Sequence, residues 1–198
     1  MKNSKVVIHP AWLRVAHWVN ALAVLVLVTS GWKIYNATAF LGFAIPGDVT
    51  LGGWLGGALL WHFAAMWVLT INGTAYLVLN GVTRRLATKF FPLSFKALVA
   101  DMGAALKGHL AHADPSQYNT VQRLAYLFVM LDSVLLVLSG LVLWKSVQFP
   151  LLRTLVGGYE GARLVHFAGM SALVLFVVVH LVMVMLVPRT LITMVRGR

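Results

Sequence analysis

Four long apolar segments alternate with more polar connections along this chain of 198 residues. They run approximately over residues 11–35, 57–79, 121–144 and 162–187. A helix needs about 20 apolar residues to cross the roughly 30 Å hydrocarbon core of a bilayer, and each segment is long enough. The first is too long for the core of a signal peptide, and no small-residue cleavage site follows it. The pattern predicts an all-α membrane protein built as a four-helix bundle.

The connection between the second and third segments is about forty residues long and has a helical pattern of its own. Apolar residues recur there at helical spacing, opposed by charged ones, which predicts an amphipathic helix over approximately 93–110. Such a helix fits the cytoplasmic membrane interface. A helix packed against a partner subunit fits the same pattern equally well.

The charged residues predict the topology of the bundle. The chain is 60% hydrophobic and 11% charged, with a mean hydropathy of +0.86 and a formal net charge of +11. Twelve basic residues fall on the side of the N-terminus: Lys2, Lys5, Arg14, Arg84, Arg85, Lys89, Lys96, Lys107, Arg123, Arg189, Arg196 and Arg198. Four fall on the other side: Lys33, Lys145, Arg153 and Arg163. The positive-inside rule then predicts N-in, C-in in a bacterial inner membrane, with the basic charge meeting anionic lipid rather than nucleic acid.

Cysteine is absent from the sequence. Disulfides, thiolate-ligated iron–sulfur clusters and covalent attachment of c-type haem are therefore excluded within this chain. Any such centre must belong to a partner protein.

The two halves of the chain resemble each other. A shift of 104 positions lays residues 57–66 onto 161–170 with seven of ten identical, including His62 and His166. A shift of 109 positions matches further residues, among them Arg14 with Arg123, Ser30 with Ser139 and Gly31 with Gly140. We interpret the repeat as two pseudo-symmetric helical hairpins in a single domain, residues 1–198, related by an axis along the membrane normal. The Ser-Gly pairs fit the close approach of a flat ring, although small residues also serve plain helix packing.

Four histidines lie inside the apolar segments: His17, His62, His166 and His180. An imidazole in hydrocarbon is costly, so its default interpretation is a functional group that faces the bundle interior. The up-and-down order of the helices places His62 and His166 near the outer face, and His17 and His180 near the cytoplasmic face. His166 and His180 are 14 residues apart, which is about 21 Å along a helix and about 40° around it.

Two histidine pairs at two depths predict two haem b groups, each held by two axial imidazoles. Neutral imidazole is a good ligand for haem iron, and a second axial imidazole closes the iron to substrates, leaving electron transfer as its chemistry. Isolated histidines bonded to backbone carbonyls are the alternative, which does not account for the pairing by depth. Ligation by Met66 or Met170 is also conceivable, but packing against the macrocycle is favoured for both.

The pattern Arg-x-x-His occurs at two of the four ligand positions, as Arg14-x-x-His17 and Arg163-x-x-His166. Each arginine lies one turn nearer water than its histidine and on the same helix face. The haem propionates would emerge there, and guanidinium pairs well with carboxylate. The alternative is an arginine that only extends its charge to the membrane surface.

The repeat maps His17 onto Tyr126 and His180 onto Tyr76. The symmetry mate of the cytoplasmic haem site therefore carries tyrosines where ligands would be. Our hypothesis is that Tyr76 and Tyr126 line a quinone site on the cytoplasmic side. Tyrosines that simply pack in the bundle are the alternative.

Two other polar side chains lie inside the predicted spans. Asn20 follows His17 by three residues on the same face and is a candidate partner for a ligand, a quinone or a propionate. Asp132 is the only carboxylate within a span. It could relay protons, contact another subunit or hydrogen-bond a ligand histidine.

The Arg14-x-x-His17-Trp18 start, His62 on the second helix and the spacing of His166 and His180 resemble the prokaryotic di-haem cytochrome b561 family. That family includes the b-type subunits of nickel–iron hydrogenases and formate dehydrogenases, and the resemblance covers nearly the whole chain. Such subunits anchor a catalytic complex and pass electrons between it and membrane quinone. The resemblance implies that His62 and His166 hold the outer haem, and His17 and His180 the inner one.

The resemblance favours an electron-transfer subunit that links an outer-face oxidoreductase to the quinone pool. The partner would be a hydrogenase, a formate dehydrogenase or a molybdenum enzyme, and whether this chain is itself an enzyme stays open. A second interpretation is a stand-alone superoxide:quinone oxidoreductase in which Lys145, Arg153 and Arg163 steer the anion inward. A third, a transporter with intramembrane histidines, would show no haem absorbance.

Overall fold

Four long α-helices account for most of the protein in the computed structural model, which describes residues 7–107 and 118–197. They are α1 (Ala11–Ala37), α2 (Leu55–Val82), α5 (Thr120–Trp144) and α7 (Gly158–Leu186). All four are long and apolar enough to cross a membrane. The prediction of four membrane-spanning helices is therefore confirmed, with bounds that differ by at most four residues at any end.

The remaining elements are short. They are a 3-10 helix (Gly47–Val49), α3 (Arg85–Phe90), α4 (Phe95–Leu106), α6 (Pro150–Leu155) and α8 (Arg189–Arg196), and no strand occurs in the two described ranges. The predicted amphipathic helix corresponds to α4, and residues 108–110 of that prediction lie outside the described residues. The sequence pattern predicted none of α3, α6 and α8, because six to eight residues are too few to establish a helical period.

Helix α5 begins at a well-defined cap. The side chain of Asn119 accepts a hydrogen bond from the backbone N–H of Gln122, while the Gln122 side chain accepts one from the backbone N–H of Asn119. This reciprocal arrangement is a capping box. The N–H of Thr120 donates to Asp101 on α4 at 2.7 Å, so the carboxylate also meets the positive end of the helix dipole.

The chain divides into two compact units. One is Pro10–Leu79, and the other is Asn80–Arg198 together with Met1–His9. We refer to α1 and α2 as the first hairpin and to α5 and α7 as the second hairpin. The second hairpin lies within one unit, and the first lies within the other except for the last three residues of α2, 80–82. The prediction that residues 1–198 form a single domain stays a prediction.

Both hairpins expose large apolar side chains. Leu22 on α1 is 65% exposed, Leu131 on α5 is 71% exposed and Leu175 on α7 is 65% exposed. Apolar surface of this extent is unfavourable in water and suits contact with lipid acyl chains. Several of the buried positions are small, as in Ala23 on α1 and Ala65 on α2, which allows close approach of the helices.

The first turns of α2 and α7 contain matching glycines that touch the preceding backbone. A Cβ atom added at Gly57 would overlap the carbonyl oxygen of Gly52, and one added at Gly161 would overlap the carbonyl oxygen of Val156. These two glycines correspond to each other in the 104-residue repeat. The repeat therefore preserves a backbone contact at the start of the second helix of each hairpin.

Candidate functional site

His62 is oriented by a serine of its own hairpin. Its Nδ1 lies 3.0 Å from the hydroxyl oxygen of Ser30 on α1. That hydroxyl donates its single hydrogen to the carbonyl oxygen of Val26, at 2.6 Å. The oxygen can therefore only accept from the imidazole, which assigns the proton to Nδ1 and the lone pair to Nε2.

His166 repeats this arrangement in the second hairpin. Its Nδ1 lies 3.0 Å from the hydroxyl oxygen of Ser139, which donates to the carbonyl oxygen of Leu135 at 2.7 Å. The two hairpins therefore have the same helix register, with Ser30 corresponding to Ser139 and His62 to His166. We call this depth the Ser–His level of each hairpin.

The glycines that follow the two serines leave room for the imidazole rings. A Cβ atom at Gly31 would lie 3.4 Å from Cε1 of His62, and one at Gly140 would lie 3.3 Å from Cε1 of His166. The sequence suggested that the Ser-Gly pairs admit a flat ring close to the backbone. In both hairpins the ring that lies there is the imidazole of the histidine on the facing helix.

Each hairpin carries one more histidine, far from its Ser–His level. His180 lies on α7 with His166, 14 residues later, and its ring stacks on Phe176 with the planes 13° apart. His17 lies on α1, 13 residues before Ser30, and its ring packs edge-on against Trp18. At 1.5 Å per residue these separations are about 20 Å along the helix axis. Each hairpin thus presents two imidazoles at two depths.

These residues fit an iron porphyrin. Among the residues that the structure describes, no three His, Asp or Glu side chains form a group that could hold a free metal ion. A porphyrin supplies four nitrogen ligands itself and needs from the protein only one donor on each face of the ring. An imidazole whose Nδ1–H is held by a hydroxyl and whose Nε2 carries the lone pair is a donor of this kind.

The two arginines that precede predicted ligand positions have different surroundings. Arg163 donates from Nη1 to the carboxylate of Glu160 at 2.9 Å, one turn earlier on α7. The Glu160 side chain is 74% exposed, so this ion pair contributes little stability and can exchange for another anion. Arg14 lies on the first turn of α1. Contact of either arginine with a propionate stays a prediction.

Polar side chains cluster in the first hairpin within about one helical turn of His17. The side-chain amide of Asn72 on α2 donates to the carbonyl oxygen of Ala16 at 2.8 Å and to the side-chain oxygen of Asn20 at 2.7 Å. The ring of Tyr76 lies one turn further along α2, 6.4 Å from the ring of Trp12. Asn20 and Tyr76, two of the three predicted quinone-site residues, thus belong to one polar and aromatic face.

Tyr126, the third predicted quinone-site residue, lies in the second unit within an aromatic cluster. Its ring centroid is 5.0 Å from that of Tyr118 and 6.0 Å from that of Phe90. Burial raises the pKa of the Tyr118 hydroxyl, and the nearby Arg85 guanidinium partly offsets this rise. Packing therefore accounts for Tyr126 at least as well as ligand binding does.

The sequence analysis did not identify Ser30, Ser139 and Asn72 as hydrogen-bond partners. For the serines a signal was present, because the 109-residue shift aligns them just as the 104-residue shift aligns the two histidines. For Asn72 there was no such signal, because the 104-residue shift aligns it with Phe176, which has no polar side-chain atom.

Comparison with known proteins gives the family. Residues 8–197 match the family model described as prokaryotic cytochrome b561. The chain belongs to the prokaryotic cytochrome b561 family. Membership makes it a multi-pass membrane protein of electron transfer with b-type haem as its cofactor, and it confirms the resemblance stated from the sequence.

Three proteins that are similar to this chain are named as subunits of oxidoreductases. A protein of Azospira oryzae named protein-methionine-sulfoxide reductase subunit YedZ1 is 65% identical over 190 residues, covering 96% of each chain. A nickel–iron hydrogenase B-type cytochrome subunit of Cupriavidus necator is 28% identical, covering 87% of this chain and 76% of its own. Its counterpart in Azotobacter vinelandii is 27% identical, covering 90% and 80%.

Removing one serine hydroxyl should weaken haem binding at the Ser–His level. In Ser30→Ala the Nδ1–H of His62 loses its hydroxyl acceptor, and loss of such a partner typically lowers metal affinity about 10–100-fold. We expect faster loss of one haem to excess apomyoglobin, a haem scavenger, measured by absorbance. Ser133→Ala is the matched control, because the Ser133 hydroxyl only donates to the carbonyl oxygen of Val129. Equal haem loss in both variants would contradict the assigned role of Ser30.

Proposed function

We propose that this chain is the membrane subunit of a two-subunit oxidoreductase. It carries electrons between membrane quinone and a catalytic subunit that lies at the outer face of the same membrane. The observation that carries the proposal is the repeated arrangement of one oriented and one further imidazole in each hairpin. When bound between two imidazoles, b-type haem supplies a one-electron carrier closed to oxygen and other small ligands. We assign His62 and His166 to the outer haem, and His17 and His180 to the inner one.

For the partner, we propose a catalytic subunit that reduces methionine sulfoxide in proteins. The relative with 65% identity bears that name, whereas the relatives with hydrogenase names are 27–28% identical. The reaction consumes two electrons and two protons, so that quinol and sulfoxide give quinone, thioether and water. Electrons would then flow from quinol through this chain to the reductase. A stand-alone superoxide oxidase is not favoured, because these relatives are named as subunits.

Quinol would bind at the polar face of the first hairpin. The amide of Asn20 and the hydroxyl of Tyr76 can hydrogen-bond the oxygens of a quinol ring, and Trp12 provides an aromatic surface beside Tyr76. This face lies within about one turn of His17, and therefore close to the haem proposed for the inner position. Tyr126 stays a weaker candidate because it is packed among other aromatic rings.

The function is tested by purifying the tagged chain from its native membranes. We expect a catalytic oxidoreductase subunit to co-purify, and a short-chain quinol to reduce the bound haem within the mixing time of a stopped-flow instrument. Co-purification of a hydrogenase would refute the proposed partner. Haem reduction by superoxide but not by quinol would refute the proposed transfer of electrons from quinol.

Substitution of the polar face tests the quinol site. In the double variant Asn20→Leu/Tyr76→Phe we expect the rate of haem reduction by quinol to fall at least about tenfold, because each lost hydrogen bond is worth about 1 kcal/mol. Reduction by dithionite, which needs no binding site, should be unchanged. Tyr35→Phe, at the far end of α1, is the control, since the Tyr35 hydroxyl donates to the backbone of Phe43. An unchanged rate with quinol would exclude these residues as the site.

A further inference from the structure

Asp132 is a buried carboxylate at the interface of α5 and α7. The residue is 6% exposed, and its Oδ1 would lie 3.1 Å from a Cβ atom added to Gly169. Its Oδ2 is buried and has no hydrogen-bond partner within the described parts of the chain. An unpartnered carboxylate in a membrane interior is costly. Its presence therefore calls for a role other than helix packing.

The first hairpin shows that the packing does not require this acid. The repeat that aligns Ser30 with Ser139 places Ala23 where the second hairpin has Asp132, and Ala65 where it has Gly169. Both alanines are buried, at 3% and 6% exposure. The same helix register is thus achieved with two methyl groups. The second hairpin has a carboxyl group there and a glycine that makes room for it.

The carboxyl lies between the two histidine depths of the second hairpin. Gly169 follows His166 by three residues and precedes His180 by eleven, which places Asp132 about 4.5 Å and about 17 Å from them along the helix axis. Of the two imidazoles on the facing helix, the nearer is therefore that of the Ser–His level. The other charged or titratable side chains of the two packed helices are Arg123 and Tyr126 on α5, and Tyr159, Glu160, Arg163 and His180 on α7.

We propose that Asp132 is a proton-binding site coupled to the electron at the Ser–His level of the second hairpin. The proposal rests on the function proposed above. An added electron increases the negative charge at that level, and a neighbouring carboxylate in a low-dielectric interior repels it. Uptake of one proton from water converts the carboxylate to a neutral acid and removes this repulsion. When the electron leaves, the proton is released, so one proton accompanies one electron in each direction.

The coupling is measured by redox titration of the purified, haem-loaded protein at a series of pH values. In the wild type we expect the midpoint potential of one haem to fall with rising pH by up to about 59 mV per pH unit, the value for one proton per electron. In Asp132→Asn, which keeps the side-chain shape, and in Asp132→Ala, which copies the first hairpin, that slope should disappear. The other haem should titrate as before. Asp48→Asn, which removes an exposed carboxylate, should change nothing.

A second readout identifies the group directly. The infrared difference spectrum between reduced and oxidised protein should contain the carbonyl stretch of a protonated carboxylic acid, and this signal should be absent from Asp132→Asn. The proposal would be overturned if the midpoint potential of the wild type did not depend on pH. It would also be overturned if the pH dependence and the carboxylic acid signal both persisted in Asp132→Asn. Those two results would refute the coupling alone. A His166→Ala variant that keeps its full haem content would instead refute the haem assignment, and with it the coupling at this level. The haem content of each variant also reports whether it is folded.

Discussion

Replacing His166 with alanine is expected to lower the haem content of the purified protein from two to one per chain. We assign the His166 imidazole as one of the two axial ligands of that haem, and an alanine side chain has no donor atom to offer to the iron. His62→Ala should have the same effect, because we assign both histidines to one haem. The measurement is a pyridine haemochrome assay on protein of known concentration.

The double variants decide which histidines share a haem. His62→Ala/His166→Ala should lose no more haem than either single variant, whereas His62→Ala/His180→Ala should lose both haems. This non-additivity follows whenever two residues act on one site. His9→Ala serves as control, because His9 lies before the first span. Loss of both haems in the first double variant, with one retained in the second, would reverse the assigned pairs.

Replacing Gly161 with alanine should sharply reduce the thermal stability of the protein. The added methyl group would overlap the carbonyl oxygen of Val156, a backbone atom that cannot rotate away. Overpacking of this kind typically lowers the free energy of unfolding by about 1–3 kcal/mol. Because the overlapping atom belongs to the backbone and cannot move aside, we expect a loss at or above the upper end of that range. Gly57→Ala should behave alike, since it meets the carbonyl oxygen of Gly52. Thermal unfolding in detergent, followed by size-exclusion chromatography, measures the effect.

Gly73→Ala is the control for this experiment. Gly73 lies within α2, and a Cβ atom there would meet nothing within 4 Å. Because alanine has the higher helix propensity by about 1 kcal/mol, this variant should be as stable as the wild type or more so. Similar losses in all three variants would show that glycine is needed for another reason than the backbone contact.

The membrane spans and the positions of the histidines along them could be predicted from the sequence, because each of these features depends on a single helix. Length and apolarity define a membrane helix, and the spacing of His166 and His180 on α7 fixes their separation and relative direction. The repeat then suggested which helices pair. These signals need no knowledge of how the side chains of two helices meet.

The hydrogen bonds of the site depend on interhelical register, which helical periodicity does not define. The hydrogen bond between Ser30 and His62 joins residues that are 32 positions apart in the sequence. The hydrogen bonds from Asn72 on α2 reach residues of α1 that are more than 50 positions away. The pair of Glu160 with Arg163, in contrast, is a local i,i+3 contact. That pair was visible in the sequence, but none of the roles predicted for Arg163 (propionate contact, extension to the membrane surface or anion steering) included it. The short helices α3, α6 and α8 were not predicted because six to eight residues are too few to establish a helical period.

Each of the two hydrogen bonds that orient an imidazole at the Ser–His level joins two residues of the same hairpin, one bond in each hairpin. The direction of each ring is therefore set by contacts within its own hairpin. A chain inserted into the membrane one hairpin at a time already has these two rings aimed when the porphyrin arrives. Neither bond involves the cofactor, so the protein freed of haem should retain both.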